Sequence, residues 1–101
     1  MSGDVAAIEV EDAEMEQAMM DRAKSVARQA VATYNHPNDI ARHITTQFDN
    51  EYGSFWHCLV TRRVHTHWQE DFGYQVNPKG QQNNFIHFIV GDIGILLFKT
   101  D

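Results

Sequence analysis

A single cysteine, Cys58, stands among 101 residues, so no internal disulfide can form, which fits a reducing compartment. Cations are also scarce. Lys and Arg number 8 against 14 Asp and Glu, a formal charge of −6, and the only adjacent basic pair is Arg62-Arg63. Binding a phosphate backbone needs clustered cations, so nucleic acid is not an expected partner. The longest apolar run, residues 93–98, falls far short of the ~20 residues that cross a bilayer, and the acidic N-terminus lacks the basic-then-apolar order of a signal peptide. No membrane partner is expected. Phosphate-binding loop, paired acid-base carboxylates and a nucleophile with a positioned base are all missing, which leaves catalysis and a cofactor without support. The length suits one domain with a single modest core.

What the chain does have is a strongly apolar stretch at 84–99. Phe85, His87 and Ile89 alternate with Ile86, Phe88 and Val90; after Gly91-Asp92, Ile93, Ile95 and Leu97 alternate with Gly94, Leu96 and Phe98. This predicts two strands joined by a two-residue hairpin turn. Both faces are apolar, so the pair needs a cover on each side.

Upstream, Met15, Ala18, Met19, Ala23, Val26, Ala27, Ala30, Val31 and Tyr34 recur at helical spacing and predict a helix over 15–34. The acids Glu9, Glu11, Asp12 and Glu14 are expected at its start, where the helix dipole favours them. Residues 35–38 break the pattern and open a second helix, with an Asn available as cap and Pro37 in the first turn. Ile40, Ile44, Phe48 and Tyr52 form its buried stripe, and Gly53 suits a C-terminal cap of positive φ. Residues 5–10, 55–60 and 72–77 read as further strands, and 78–83 as a loop. The expected fold class is α+β: two helices packed on a five-stranded antiparallel sheet, with residues 1–14 a tail with a short strand and 15–101 the domain. Two helices cover one face only, so the simplest second cover is another subunit.

Two side-chain groupings carry little chemistry. His57 and Cys58 are neighbours on a strand and point to opposite faces, so the imidazole is badly placed to activate the thiol. His65 and His67 share a face if extended, yet no matching pair of ligands completes a metal site, and none is expected.

Tyr34-Asn35, Asp39-Ile40-Ala41, His43-Ile44, Phe48-Asp49 with Tyr52, Trp56-His57-Cys58 with Val60, Phe85-Ile86 and Ile95-Leu96-Leu97-Phe98-Lys99 together resemble the small, eight-kilodalton dynein light chain family. The resemblance implies a non-catalytic symmetric dimer with one strand exchanged between subunits, and two grooves in which extended partner segments add as a further β-strand. It implies that Phe72, Gly73, Tyr74, Gln75, Val76 and Asn77 form the crossing strand and peptide-binding edge, joined by Asn38, Phe85 and His87. His57, Trp56, Phe72 and Val76 are implied at the dimer interface. The implied partners are a dynein intermediate chain or other disordered segments, with a homodimer or a heterodimer of related light chains as the assembly. The implied location is cytoplasm and cytoskeleton, with the ciliary axoneme as an alternative. The chain departs from the family pattern by extra residues at 63–71 and 78–84. Gln75, His87 and Ile89 also stand at common tyrosine positions, and Pro37-Asn38 where an acidic-basic pair is usual. These departures favour a specialised paralogue with a dedicated partner.

Overall fold

The computed structural model describes residues 7–53, 55–64, 67–68 and 84–100. In chain order they form β1 (Ile8–Glu14), α1 (Gln17–Thr33), α2 (Pro37–Tyr52), β2 (Trp56–Val64), β3 (His67–Trp68), β4 (Phe85–Val90) and β5 (Ile93–Lys99). The strand expected at 72–77, the loop at 78–83 and His65 lie outside the described residues.

Both helices follow the apolar stripes of the sequence. On α1 the buried residues are Ala23, Val26, Ala27 and Ala30, mostly small, which lets α2 pack closely. On α2 they are Ile40, Ile44 and Phe48. Arg22 of α1 forks onto Glu51 of α2, with Nη2 donating to Oε2 at 2.6 Å and Nε to both oxygens at 3.0 Å. This tie is solvent-exposed and adds little beside the apolar contact. The α2 cap differs from expectation: His36, not an asparagine, caps the helix, its Nδ1 accepting from the Asn38 N–H at 3.1 Å. Pro37 follows at the first helical position, where its missing N–H costs nothing. At the other end the Gly53 N–H donates to the Asp49 carbonyl at 3.1 Å, with φ +82° and ψ 166°.

The sheet runs β1-β4-β5-β2-β3, every neighbour antiparallel. Val90 faces Ile93 across the expected Gly91-Asp92 turn, and Gly91 has φ +63°. β2 runs on to Val64, beyond the expected end at 60, and Arg63 and Val64 pair with the two residues of β3.

The N-terminal strand lies later than expected, at Ile8–Glu14, and it holds the acids that were expected to start α1. The first turn of α1 contains no acid. Pairing with β4 decides this: Ile8 lies opposite Val90, Val10 opposite Phe88 and, after a register shift between Val10 and Asp12, Ala13 opposite Ile86. Ile8 and Ala13 pack against the core while the acids stay exposed on a sheet edge. A kinked, charged edge resists further strand pairing.

Strand alternation splits the sheet into two faces. Trp56, Cys58, Val60, Ile86, Phe88, Val90, Ile93, Ile95 and Leu97 join the helical stripes in one core. Phe55, His57, Leu59, Thr61, Phe85, His87, Ile89, Leu96 and Phe98 fall on the far face. Gly53 shows how tightly the α2–β2 connection is drawn, because its φ,ψ pair is open almost only to glycine. A Cβ there would meet only Lys99 Nζ at 3.9 Å, an ordinary contact, so the cost of a side chain is backbone strain. Urea denaturation should show Gly53→Ala destabilised by about 1–3 kcal/mol; an unchanged midpoint would show that the turn relaxes freely.

Candidate interaction surface

The far face is apolar and only partly covered. Phe85 and Leu96 are buried there, but Leu59 is 47% and Phe55 62% exposed. His57 stacks on Phe98 with centroids 5.3 Å apart, and its Nε2 lies 2.9 Å from Thr100 Oγ1. His87 is half-buried, and Asp12 of β1 lies opposite it. Of the residues expected at the interface, His57 lies on this face. Trp56 lies on the other, 4% exposed, edge-on to Phe48 at 4.9 Å and below Lys99 Nζ at 5.6 Å. Phe72 and Val76 are outside the described residues, as are all the expected peptide-binding positions from Phe72 to Asn77.

The edge of β2 is the second feature. Thr100 N–H donates to the Phe55 carbonyl at 2.9 Å, and antiparallel ladders bond every second residue pair. His57, Leu59 and Thr61 therefore bond to β5, while the backbone groups of Trp56, Cys58, Val60 and Arg62 point out of the sheet edge. Asp49 Oδ1 accepts the Trp56 N–H at 2.9 Å. Among the described residues no strand covers this edge between Trp56 and Arg62, since β3 pairs only with Arg63 and Val64.

Two cavities flank that edge, and Asn38 lines both. One, of about 510 Å³, lies among Asn35, His36, Pro37, Asn38, Val60, Thr61 and Arg62. The other, of about 600 Å³, lies between Ala41, Arg42 and Thr45 of α2 and Trp56 through Leu59 of β2. The backbone donors at the start of α2 are already used. Pro37 has none, Asn38 donates to His36 Nδ1, and Asp39 and Ile40 both donate to the His36 carbonyl at 3.0 and 3.1 Å. Donors toward a bound segment come instead from the arginines; Arg62 Nη2 donates to the Asn35 carbonyl, one of five N–H groups on that side chain. The sequence reading found Asn38 but missed Arg42, Arg62 and the edge. Arg62 continues the Trp56, Cys58, Val60 register, a signal visible once β2 is extended past residue 60.

Charge chemistry at the surface is limited. Desolvation pushes the Cys58 thiol above its ordinary range, which favours the protonated form, although the residue is half-buried. Burial also lowers the His87 pKa below its ordinary 6.5, partly opposed by the nearby Glu11 and Asp12. Among the described residues no group of three His, Cys, Asp or Glu side chains could hold a metal ion. No helix among them is long and apolar enough to cross a membrane.

Two helices cover one face of an antiparallel sheet whose other face is apolar and, among the described residues, whose β2 edge is unpaired between Trp56 and Arg62. The family model for dynein light chain type 1 matches residues 7–100, and the chain belongs to that family. The family is generally non-catalytic, and its members typically dimerise and bind partner segments. The fold is similar to the dynein light chain-like domain of the calcium binding protein FhCaBP2 from Fasciola hepatica, at TM-score 0.76 and 18% identity, covering 100% of this chain and 98% of that one. It is also similar to the dynein light chain-like domain of CsTAL3, at TM-score 0.68 and 14% identity, covering 92% of each chain.

Two outcomes test the electrostatics. In the folded state His87 resists protonation more than in the unfolded chain, so the unfolded state binds more protons as pH falls below 6.5. The contribution of His87 to stability is thus intact above 6.5 and lost on acidification. Denaturation midpoints of His87→Gln should fall less between pH 7 and pH 5 than those of the parent chain; parallel profiles would remove His87 as the source. Cys58 should react with a thiol-specific disulfide reagent at pH 8 more slowly in the folded chain than after urea unfolds it, and equal rates would show that its surroundings do not hold back the thiolate.

Proposed function

We propose that this chain is a non-catalytic dimeric light chain that binds extended segments of partner proteins, a dynein intermediate chain among them, by β-strand addition and so stabilises a motor complex. The observation that carries this reading is the combination of an apolar far face with an open β2 edge. Phe55 and Leu59 are large apolar side chains held in water, and a second copy pressed against this face removes both at ~25 cal/mol per Å² of apolar surface. Twofold pairing of identical faces needs no second gene product. In the dimer the open edge of β2 takes the exchanged strand, whose outer side then supplies the main-chain hydrogen bonds of strand addition. In this reading Phe72 to Asn77 is the crossing strand and peptide-binding edge, His57 and Val76 sit at the dimer contact, and Asn38, Phe85 and His87 border the groove. The cytoplasm and cytoskeleton are the corresponding location, and an axonemal dynein is the assembly that the departures from the family pattern favour.

Native mass spectrometry at neutral pH, alone and with a Thr-Gln-Thr-containing peptide, tests the assembly. The expected result is a dimer for the parent chain and a folded monomer for Leu59→Arg, because the new charge would be desolvated at the contact. A dimer that takes up two peptides makes this a general clamp, and one that ignores them points to a dedicated partner. A monomeric parent chain overturns the homodimer and moves the assembly to a pair with a related light chain.

A further inference from the structure

We propose that Met15, Met19 and Met20 form an oxidation site. They clasp the junction of β1 and α1 to the core, and a peroxide opens the clasp by converting their thioethers to sulfoxides. Three of the four methionines of the chain fall within residues 15–20. All three are half-buried and pack against the core cluster. Each therefore meets solvent and still carries packing, the combination in which methionine oxidation changes a structure.

Little else fastens this corner of the fold. The buried residues of α1 begin at Ala23, so the apolar hold of residues 17–22 on the core comes from Met19 and Met20, while Ala18 is exposed. These two stand at i−4 and i−3 from Ala23 and continue the buried stripe toward the helix start. The polar supports of that start are thin. Glu16 stands at the N-cap without a side-chain cap bond, and no acid in the first turn meets the helix dipole. Gln17 Nε2 donates to Asp21 Oδ1 at 3.0 Å, an exposed contact within the helix. Among the described residues the side-chain ties from α1 to another element begin only at Arg22, which forks onto Glu51. On the other side of the junction β1 is held by its interrupted ladder to β4 and by the half-buried Ile8 and Ala13. Met15 lies between the two elements.

The chemistry is a two-electron oxygen transfer. The thioether sulfur attacks one oxygen of a hydroperoxide and is oxidised as the S=O bond forms; the O–O bond breaks, and the second oxygen leaves, protonated, as water or an alcohol. The sulfoxide is polar and loses free energy in an apolar contact that offers it no hydrogen bond. The start of α1 then frays back toward Ala23 and β1 loosens from β4. In the dimer proposed above the second copy takes the face of the sheet opposite the helices, which leaves the three side chains within reach of the oxidant.

The test treats the folded full chain with dilute hydrogen peroxide and follows it by peptide mass spectrometry and hydrogen exchange. Sulfoxide should appear at Met15, Met19 and Met20, and the amides of β1 and of residues 17–22 should then exchange about tenfold faster, with β5 unchanged. Met15→Leu, Met19→Leu and Met20→Leu together keep the volume and remove the sulfur, so the triple variant should fold and its exchange should not respond to peroxide. Methionine sulfoxide reductase should restore the protection of the oxidised parent chain, a reversal that over-oxidation of Cys58 would not permit. Equal acceleration in β5 overturns the inference, because the methionines then support the whole core and not one junction. So does unchanged exchange with all three sulfurs oxidised, or a response to peroxide that survives in the triple variant. Sulfurs that stay reduced in the folded chain and take up oxygen only in urea overturn it as well, since the clasp is then closed to peroxide.

Discussion

The structure depends on a sheet that is apolar on both faces while the chain supplies helices for one. β5 is the strand that imposes this constraint. Ile93, Ile95 and Leu97 point under the helices, and Leu96 is buried on the opposite side. With β4 and β2 on its flanks, β5 makes both ladders of the sheet's centre and takes alternate residues for each. Such a strand is stable only when water is removed from both sides, at ~1.5–3 kcal/mol for each large side chain fully buried. The helices remove it from one side. On the other side Phe55 and Leu59 stay in water, so that face is covered only in part.

The same constraint explains which parts of the fold were legible in the sequence. The two helices, the β4–β5 hairpin and the start of β2 rest on periodicity and on glycines, and these are local signals. Gly53 and Gly91 stand where the chain needs positive φ. β1 was misplaced because its pattern is not local. Four acids in seven residues resemble the charged start of a helix, and only the apolar Val90, Phe88 and Ile86 opposite it bring Ile8, Val10 and Ala13 into a strand. The α2 cap was misread for a related reason. Asparagine is the commoner cap, but Pro37 fixes the helix start one residue after His36, which puts the imidazole and not an amide beside the Asn38 N–H.

Site residues divide along similar lines. Alternation puts His57 and Cys58 on opposite faces, and the structure has His57 on the far face beside Phe98; its place at a dimer contact comes from the resemblance. Trp56 shows how a neighbour one position away has a different environment: it packs under α2 with Phe48 and Tyr52, and Asp49 ties its backbone to the helix. The edge of β2 was invisible in the sequence, since a strand's hydrophobic pattern reports its faces and carries no information about its in-plane neighbours. Sheet order decides that: β5 lies between β4 and β2, so the second side of β2 faces away from the central strands.

The two edges of the sheet are therefore unlike, and their difference gives the molecule a direction. β1 presents exposed carboxylates and a register shift, both of which discourage a further strand. β2 presents a regular ladder from Cys58 to Arg62 beside a helix whose facing residues are short, polar or cationic. Charge and geometry close one end of the sheet to a further strand, whereas at the other, among the described residues, no strand pairs with β2 between Trp56 and Arg62. α2 is what separates these outcomes. Its Asp49 side chain ends the open ladder at Trp56, its N-terminal donors are closed by His36, and its Arg42 leans over the groove that remains.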